Sequence, residues 1–129
     1  MKLLPTSRTF IVTGAVFGFF SVGFGAFGAH AIKGTISPDL LTIYQTAVDY
    51  QFFHALGLIL TGLVFQHQPH KLILIAGWLI IAGIFVFSGS LYFLSLTGIR
   101  WLGAITPVGG TAFIAAWLLL AIGTLKKDS

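Results

Sequence analysis

No cysteine occurs in the 129 residues, so the chain can form no disulfide, hold no metal through thiolate and present no cysteine nucleophile. Charge is nearly as scarce. Seven Lys and Arg and three Asp and Glu make up 8% of the chain, against about 25% in an ordinary soluble domain. The cations stand singly between apolar runs and form no basic stripe, which excludes a nucleic-acid partner despite the net charge of +4. No serine, histidine and acid fall in a local nucleophile signature. The glycines between Gly23 and Gly28 and the pair Gly109-Gly110 lack the strand, lysine or acid of a phosphate-binding motif. His67 and His70 have H-x-x-H spacing, but two ligands with no acid nearby do not make a zinc site. The sequence therefore predicts no catalytic, cofactor-binding or metal-ligating residue, and a protein that is not an enzyme.

What is abundant is apolar. Hydrophobic residues make up 57% of the chain, with 13 Phe and 16 Gly, and the mean hydropathy is +0.99. Aromatic anchors and glycine are both commoner in spanning helices than in soluble ones. A spanning helix needs about 20 mostly apolar residues, and four stretches reach that length, at about 9–29, 48–65, 72–94 and 103–125. The first is too long for the apolar core of a signal peptide and is predicted to stay as an uncleaved helix. The chain is thus expected to be one all-α transmembrane domain over residues 1–129, with four helices in a compact antiparallel bundle.

Between the spans lie nearly all the charges, together with Pro38, Pro69 and the Thr97-Gly98 turn signal. Ser37-Pro38-Asp39 reads as a helix start, with serine as N-cap, proline in the first turn and an acid at the positive end of the helix dipole. The second helix is therefore expected to begin at Pro38, outside the hydrocarbon. With four spans both termini share a side. That side carries Lys2, Arg8, Lys71, Lys126 and Lys127, the other only Lys33 and Arg100. The positive-inside rule then puts both termini in the cytoplasm.

In the first span Gly14, Gly18, Ser21, Gly25 and Gly28 recur at four, three, four and three residues, which keeps them on one helix face. Membrane helices associate through close van der Waals contact, which such a stripe permits. The second span has a polar counterpart at Ala47, Tyr50, His54, Gly57 and Thr61. The phenylalanines are then expected to face lipid.

The polar residues within the spans gather towards the outer leaflet: His30, Asp49, Gln51, His54, Ser88, Ser90, Tyr92 and Thr106. Ionisable groups at such depth are costly and face protein or water. His54, roughly 10 Å below the start of its apolar segment, needs partners, for which Ser88, Ser90, Tyr92 or His30 are available. Asp49 is no partner, since five residues of helix put it about 140° from His54. It is placed to reach water or Arg100 across a loop.

The stretches GAFGAHA at 25–31, YQTAVDYQFFHALGL at 44–58, FSGSLY at 87–92 and GAITPVGG at 103–110 together resemble the YgdD-like family of small bacterial inner-membrane proteins, which has animal mitochondrial relatives and no assigned function. The resemblance runs from about residue 9 to 125. It implies a four-helix protein of the bacterial inner membrane and brings with it no activity, cofactor or catalytic residue. Three functions fit such a chain. One is a structural or accessory component of a membrane assembly, with the bilayer and a homo-oligomer or larger complex as partners. Another is a small transporter or channel component lined by His54, Gln51 and Ser88. The third is a lipid- or quinone-binding protein using an outer-leaflet pocket flanked by Tyr50, Tyr92 and Trp101.

Overall fold

The four apolar runs fold as helices, each longer than the apolar stretch that marked it. The computed structural model describes residues 2–126, and its spans are Pro5–Ile32, Pro38–His67, Lys71–Thr97 and Arg100–Leu125. At 26 to 30 residues each is about 40 Å long, more than the roughly 30 Å of bilayer hydrocarbon. Their end turns therefore stand in the headgroup region. Three spans have identifiable starts. Pro5 and Pro38 occupy first turns, where a missing N–H costs nothing. The Ser37 hydroxyl accepts from the Leu40 N–H, and His70 Nδ1 accepts from the Leu72 N–H at 3.0 Å. Span three stops at Gly98, whose φ of 74° is left-handed and suits glycine.

Three spans are not continuous α-helix. Span one is α-helical over Pro5–Val22, widens to a π-helix at Gly23–Gly28 and closes with one turn at Ala29–Ile32. Span three runs Lys71–Gly83, then a π-helix at Ile84–Ser88, then Gly89–Thr97. Span four opens with a 3₁₀ turn, Arg100–Ala104, before Thr106–Leu125.

Large aromatic side chains seat on glycines of the facing helix. Phe10 lies against Gly77, Tyr44 against Gly28, Phe113 against Gly83 and Trp117 against Gly57. A Cβ added at Gly83 would stand 2.5 Å from the Phe113 ring, and one at Gly57 2.9 Å from Trp117. Phe10 and Phe113 are consequently buried rather than turned to lipid, a departure from the sequence expectation, while Phe19, Phe27, Phe53, Phe85 and Phe93 do face outward.

The first-span stripe packs within the chain, on span two. Gly14 approaches Ala55 and Ile59, Gly25 approaches Val48, and Gly28 receives Tyr44. Gly18 breaks the pattern, with open space where its Cβ would be. The face of span two that receives the stripe is not the one carrying Ala47, His54 and Gly57. That second face turns to spans three and four, where Ala47 meets Ser88 and both His54 and Gly57 meet Trp117. Span two is thus gripped on two sides and is the most deeply enclosed of the four.

Spans one and three run in the same direction and meet through aromatic rings. Phe10 pairs edge-to-face with Trp78, Phe17 with Phe85 and Phe24 with Tyr92, at ring-centroid distances of 5.6, 5.5 and 5.5 Å. Both series advance by seven residues, the interval that returns a helix to nearly the same face. The rings act as spacers, leaving gaps between successive rungs.

At the end of the bundle that carries both termini, a glutamine in the last turn of span two and another just after it act as clamps. Gln66 accepts from the Leu4 N–H at 2.7 Å and donates to the Lys2 carbonyl. Gln68 donates through Nε2 to the Thr124 carbonyl at 3.1 Å and to that of Lys126, carbonyls that the helix end leaves without internal partners. Gln68→Ala is expected to fray the end of span four. It should cost about 1 kcal/mol, read as a lower melting temperature in detergent and faster proteolysis at the C-terminus. Lys127, counted above with the cations of this face, lies outside the described residues.

At the opposite end Arg100 pairs with Asp39 at 2.6 Å, not with Asp49 as the sequence suggested. The overhang of the second helix puts Asp39 above the hydrocarbon, where its carboxylate accepts from both the Ser37 hydroxyl and Arg100. Asp49 is a further ten residues along, roughly 15 Å lower, which is why Arg100 takes the nearer acid.

Candidate functional site

Of the eight polar residues placed towards the outer leaflet, the bundle joins six to other helices and leaves two at the surface. Gln51, 4% exposed, sits at the meeting of spans one, two and three. Its Nε2 donates to the Phe17 carbonyl at 2.9 Å and its Oε1 accepts from the Tyr92 hydroxyl at 2.6 Å. Ser88 donates to the Ala47 carbonyl at 2.8 Å, tying spans three and two. Ser90 and Thr106 share a hydrogen bond of 2.6 Å between spans three and four.

His54 finds neither Ser88, Ser90, Tyr92 nor His30. Its Nδ1 bonds the Tyr50 carbonyl at 2.8 Å, and its Nε2 lies 3.0 Å from Trp117 Nε1. A carbonyl can only accept and an indole N–H can only donate, so Nδ1 carries the proton and Nε2 does not. The ring is the neutral tautomer, with both nitrogens engaged. It stacks on Phe113 with centroids 3.5 Å apart and planes 13° from parallel, and the Tyr50 ring lies beside the pair, 6.0 Å from His54 and 6.4 Å from Phe113.

His30 and Asp49 are exposed, and neither side chain has a hydrogen-bond or ion-pair partner among the described residues. Asp49 borders a polar groove of about 280 Å³ with Gln45, Val48, Gly25 and Ala29. It stands apart from the Gln51–Tyr92 and His54–Trp117 bonds, as the helical angle between residues 49 and 54 requires. No group of three or more metal-ligating side chains occurs among the described residues.

The sequence reading missed two contributors. Tyr44 donates to the Phe24 carbonyl at 2.8 Å, inside the widened segment of span one, and its ring packs on Tyr92. Trp117 supplies the donor to His54. An aromatic hydroxyl or indole N–H within an apolar span carries no signal until its partner is known. The π-helices had a weak signal in GFGAFG, since glycine holds the α conformation poorly, and none in IFVFS. Such widened turns are often found at functional positions.

Comparison with known proteins places these elements in a wider group. The family described as "Protein of unknown function (DUF423)" matches residues 24–110, a segment that contains all eight polar residues and ends before Phe113 and Trp117. A UPF0382 membrane protein of Staphylococcus haemolyticus is 49% identical over 119 residues, covering 92% of this chain and 97% of its own. The UPF0382 membrane protein YwdK of Bacillus subtilis is 45% identical over 120 residues, covering 92% of this chain and 98% of its own. No solved structure matches the chain.

Proposed function

Since the chain belongs to the DUF423 family and is a multi-pass protein of the bacterial inner membrane, we propose that it serves as a non-catalytic accessory component of a membrane assembly, a rigid body placed beside other spanning helices. The observation that carries this reading is how the buried polar groups are spent. His54, Gln51, Ser88, Ser90 and Thr61 all bond within the bundle. Among the described residues, Ser7 Oγ is the one buried side-chain polar atom with no partner. A group engaged on both sides is not poised to relay a proton or to strip water from an ion.

Coverage of the spans supports the same reading. Spans one and four are far less enclosed than two and three, so the bundle presents long uncovered helices to its neighbours. With Lys and Arg concentrated at the terminal face, both ends lie in the cytoplasm under this reading. The transport alternative has the widened segments of spans one and three in its favour, because irregular helices mark many transporter sites. Here, however, the freed geometry is taken up internally, with Tyr44 on the Phe24 carbonyl and Ser88 on Ala47.

Gentle extraction from the native membrane followed by native mass spectrometry tests the proposal. The expected spectrum shows this chain in fixed stoichiometry with a second membrane protein or with further copies of itself. A bare monomer at every detergent concentration, together with normal assembly of all membrane complexes in a deletion strain, would contradict it.

A further inference from the structure

The aromatic ladder between spans one and three leaves a cleft that the bundle does not fill. Above the Phe17–Phe85 rung the gap is about 420 Å³, walled by Val16, Phe20, Phe24 and Ile84, with Gln51 and Tyr92 at its base. A second cavity of about 340 Å³ shares Phe24, Gly89 and Tyr92 with the first and continues past Tyr44 and Phe93 to Leu96. Each lies within the range of about 300–1,000 Å³ usual for ligand pockets. The walls are almost wholly apolar. Phe20, Phe24, Phe85, Phe93 and Leu96 are exposed along its mouth, which therefore opens sideways into hydrocarbon. Gly89 creates the space: nothing lies within 4 Å of where its Cβ would stand, and it borders both cavities.

We propose that this cleft holds one acyl chain of a bilayer phospholipid. A long, narrow, apolar gap open to the membrane forfeits the dispersion contacts of its lining unless a chain lies in it, and acyl chains are the abundant species at its mouth. The outer end of the cleft leads to Leu96 and the turn at Gly98, and Arg100 follows two residues later. Its guanidinium donates one N–H to Asp39 and retains others. A cation at headgroup level complements the phosphate of a lipid whose tail descends between Phe24 and Phe93. The Tyr44 and Tyr92 rings, packed on each other at 5.5 Å, fix the inner wall.

The test uses the full chain in vesicles of phosphatidylethanolamine and phosphatidylglycerol, the latter carrying a photoreactive diazirine in one acyl chain. After irradiation, adducts are expected several-fold more often on Phe20, Phe24, Phe85 and Phe93 than on Phe19, Phe53 and Ile114, which face lipid away from the cleft. Gly89→Leu should abolish the excess and leave the other adducts unchanged. Gly89→Ala, which adds only a methyl group to an open helical position, should reduce the excess partly and keeps the test available if the leucine variant folds poorly. Uniform labelling, or an excess that survives Gly89→Leu, would overturn the proposal. So would displacement of the cleft adducts by an unlabelled isoprenoid quinone but not by unlabelled phosphatidylglycerol, which would assign the cleft to a quinone.

Discussion

Replacing Gly109 by alanine is expected to lower the yield of folded protein more than adding a methyl group at any open glycine of the bundle. A Cβ there would stand 2.7 Å from Phe87 Cβ and 2.8 Å from Phe87 Cα, with the Phe87 amide nitrogen closer still. The obstacle is backbone, not a side chain that can swing away. It belongs to the π-helix Ile84–Ser88 of span three, so relief requires spans three and four to move apart. That movement would disturb the Ser90–Thr106 hydrogen bond and the seat of Phe113 on Gly83. The expected cost is about 3 kcal/mol, the upper part of what overpacking usually brings. Gly18→Ala provides the control, since nothing lies within 4 Å of its added Cβ and alanine is the better helix former. Thermal unfolding in detergent should place Gly109→Ala well below the wild type and Gly18→Ala at or above it. Equal melting temperatures for the two variants would show that close approach at Gly109 is not what holds span four.

Much of the fold was legible because a bilayer leaves the backbone few choices. With no water to satisfy N–H and C=O groups, an apolar run of sufficient length has to be helix, so composition alone located the four spans and the turn residues divided them. Ser37, Pro38 and Asp39 announced the start of the second helix through local chemistry, and the structure has that cap. The stripe Gly14, Gly25 and Gly28 was readable by the same periodicity, which small residues keep when a second helix must come close.

Helix partnership was much less legible. Periodicity tells which residues share a face but not what that face meets. The Ala47, His54 and Gly57 face of span two, comparable in spacing to the glycine stripe, meets spans three and four, while the stripe meets another face of the same helix. Phe10, Phe17 and Phe24 look like lipid-facing residues until the matching series Trp78, Phe85 and Tyr92 is placed opposite them. The polar residues show the same division. Depth counted along each helix grouped Gln51, His54, Ser88, Ser90, Tyr92 and Thr106, but His54 sits near the middle of span two and bonds Trp117, eleven residues beyond Thr106 on span four. Rotation about each helix axis could not be inherited from one span to the next, because two π-helices intervene, so the pairs they form were unreadable. His30 and Asp49 are exposed at the surface of the bundle.

His54→Ala brings the second large effect, and its size follows from what the imidazole leaves behind. Trp117 Nε1–H would lose its acceptor in a region without water, and the ring stacked on Phe113 would be replaced by a void. A donor left unpaired on the lipid-facing Trp117 and a large-to-small change at the buried His54 position together suggest a loss of about 3 kcal/mol, towards the modest end because membrane hydrogen bonds contribute less than their burial implies. Two further variants divide the effect. His54→Phe keeps a stacked ring and removes the acceptor; His54→Gln keeps an acceptor and removes the ring. Both should melt between the wild type and His54→Ala. Trp117→Phe in the His54→Phe background should cost little more, because the bond it would break is already gone. This pattern is what a neutral imidazole joining spans two and four produces. A proton-carrying histidine would behave otherwise: His54→Gln would then be as stable and abundant as the wild type and yet lose function completely.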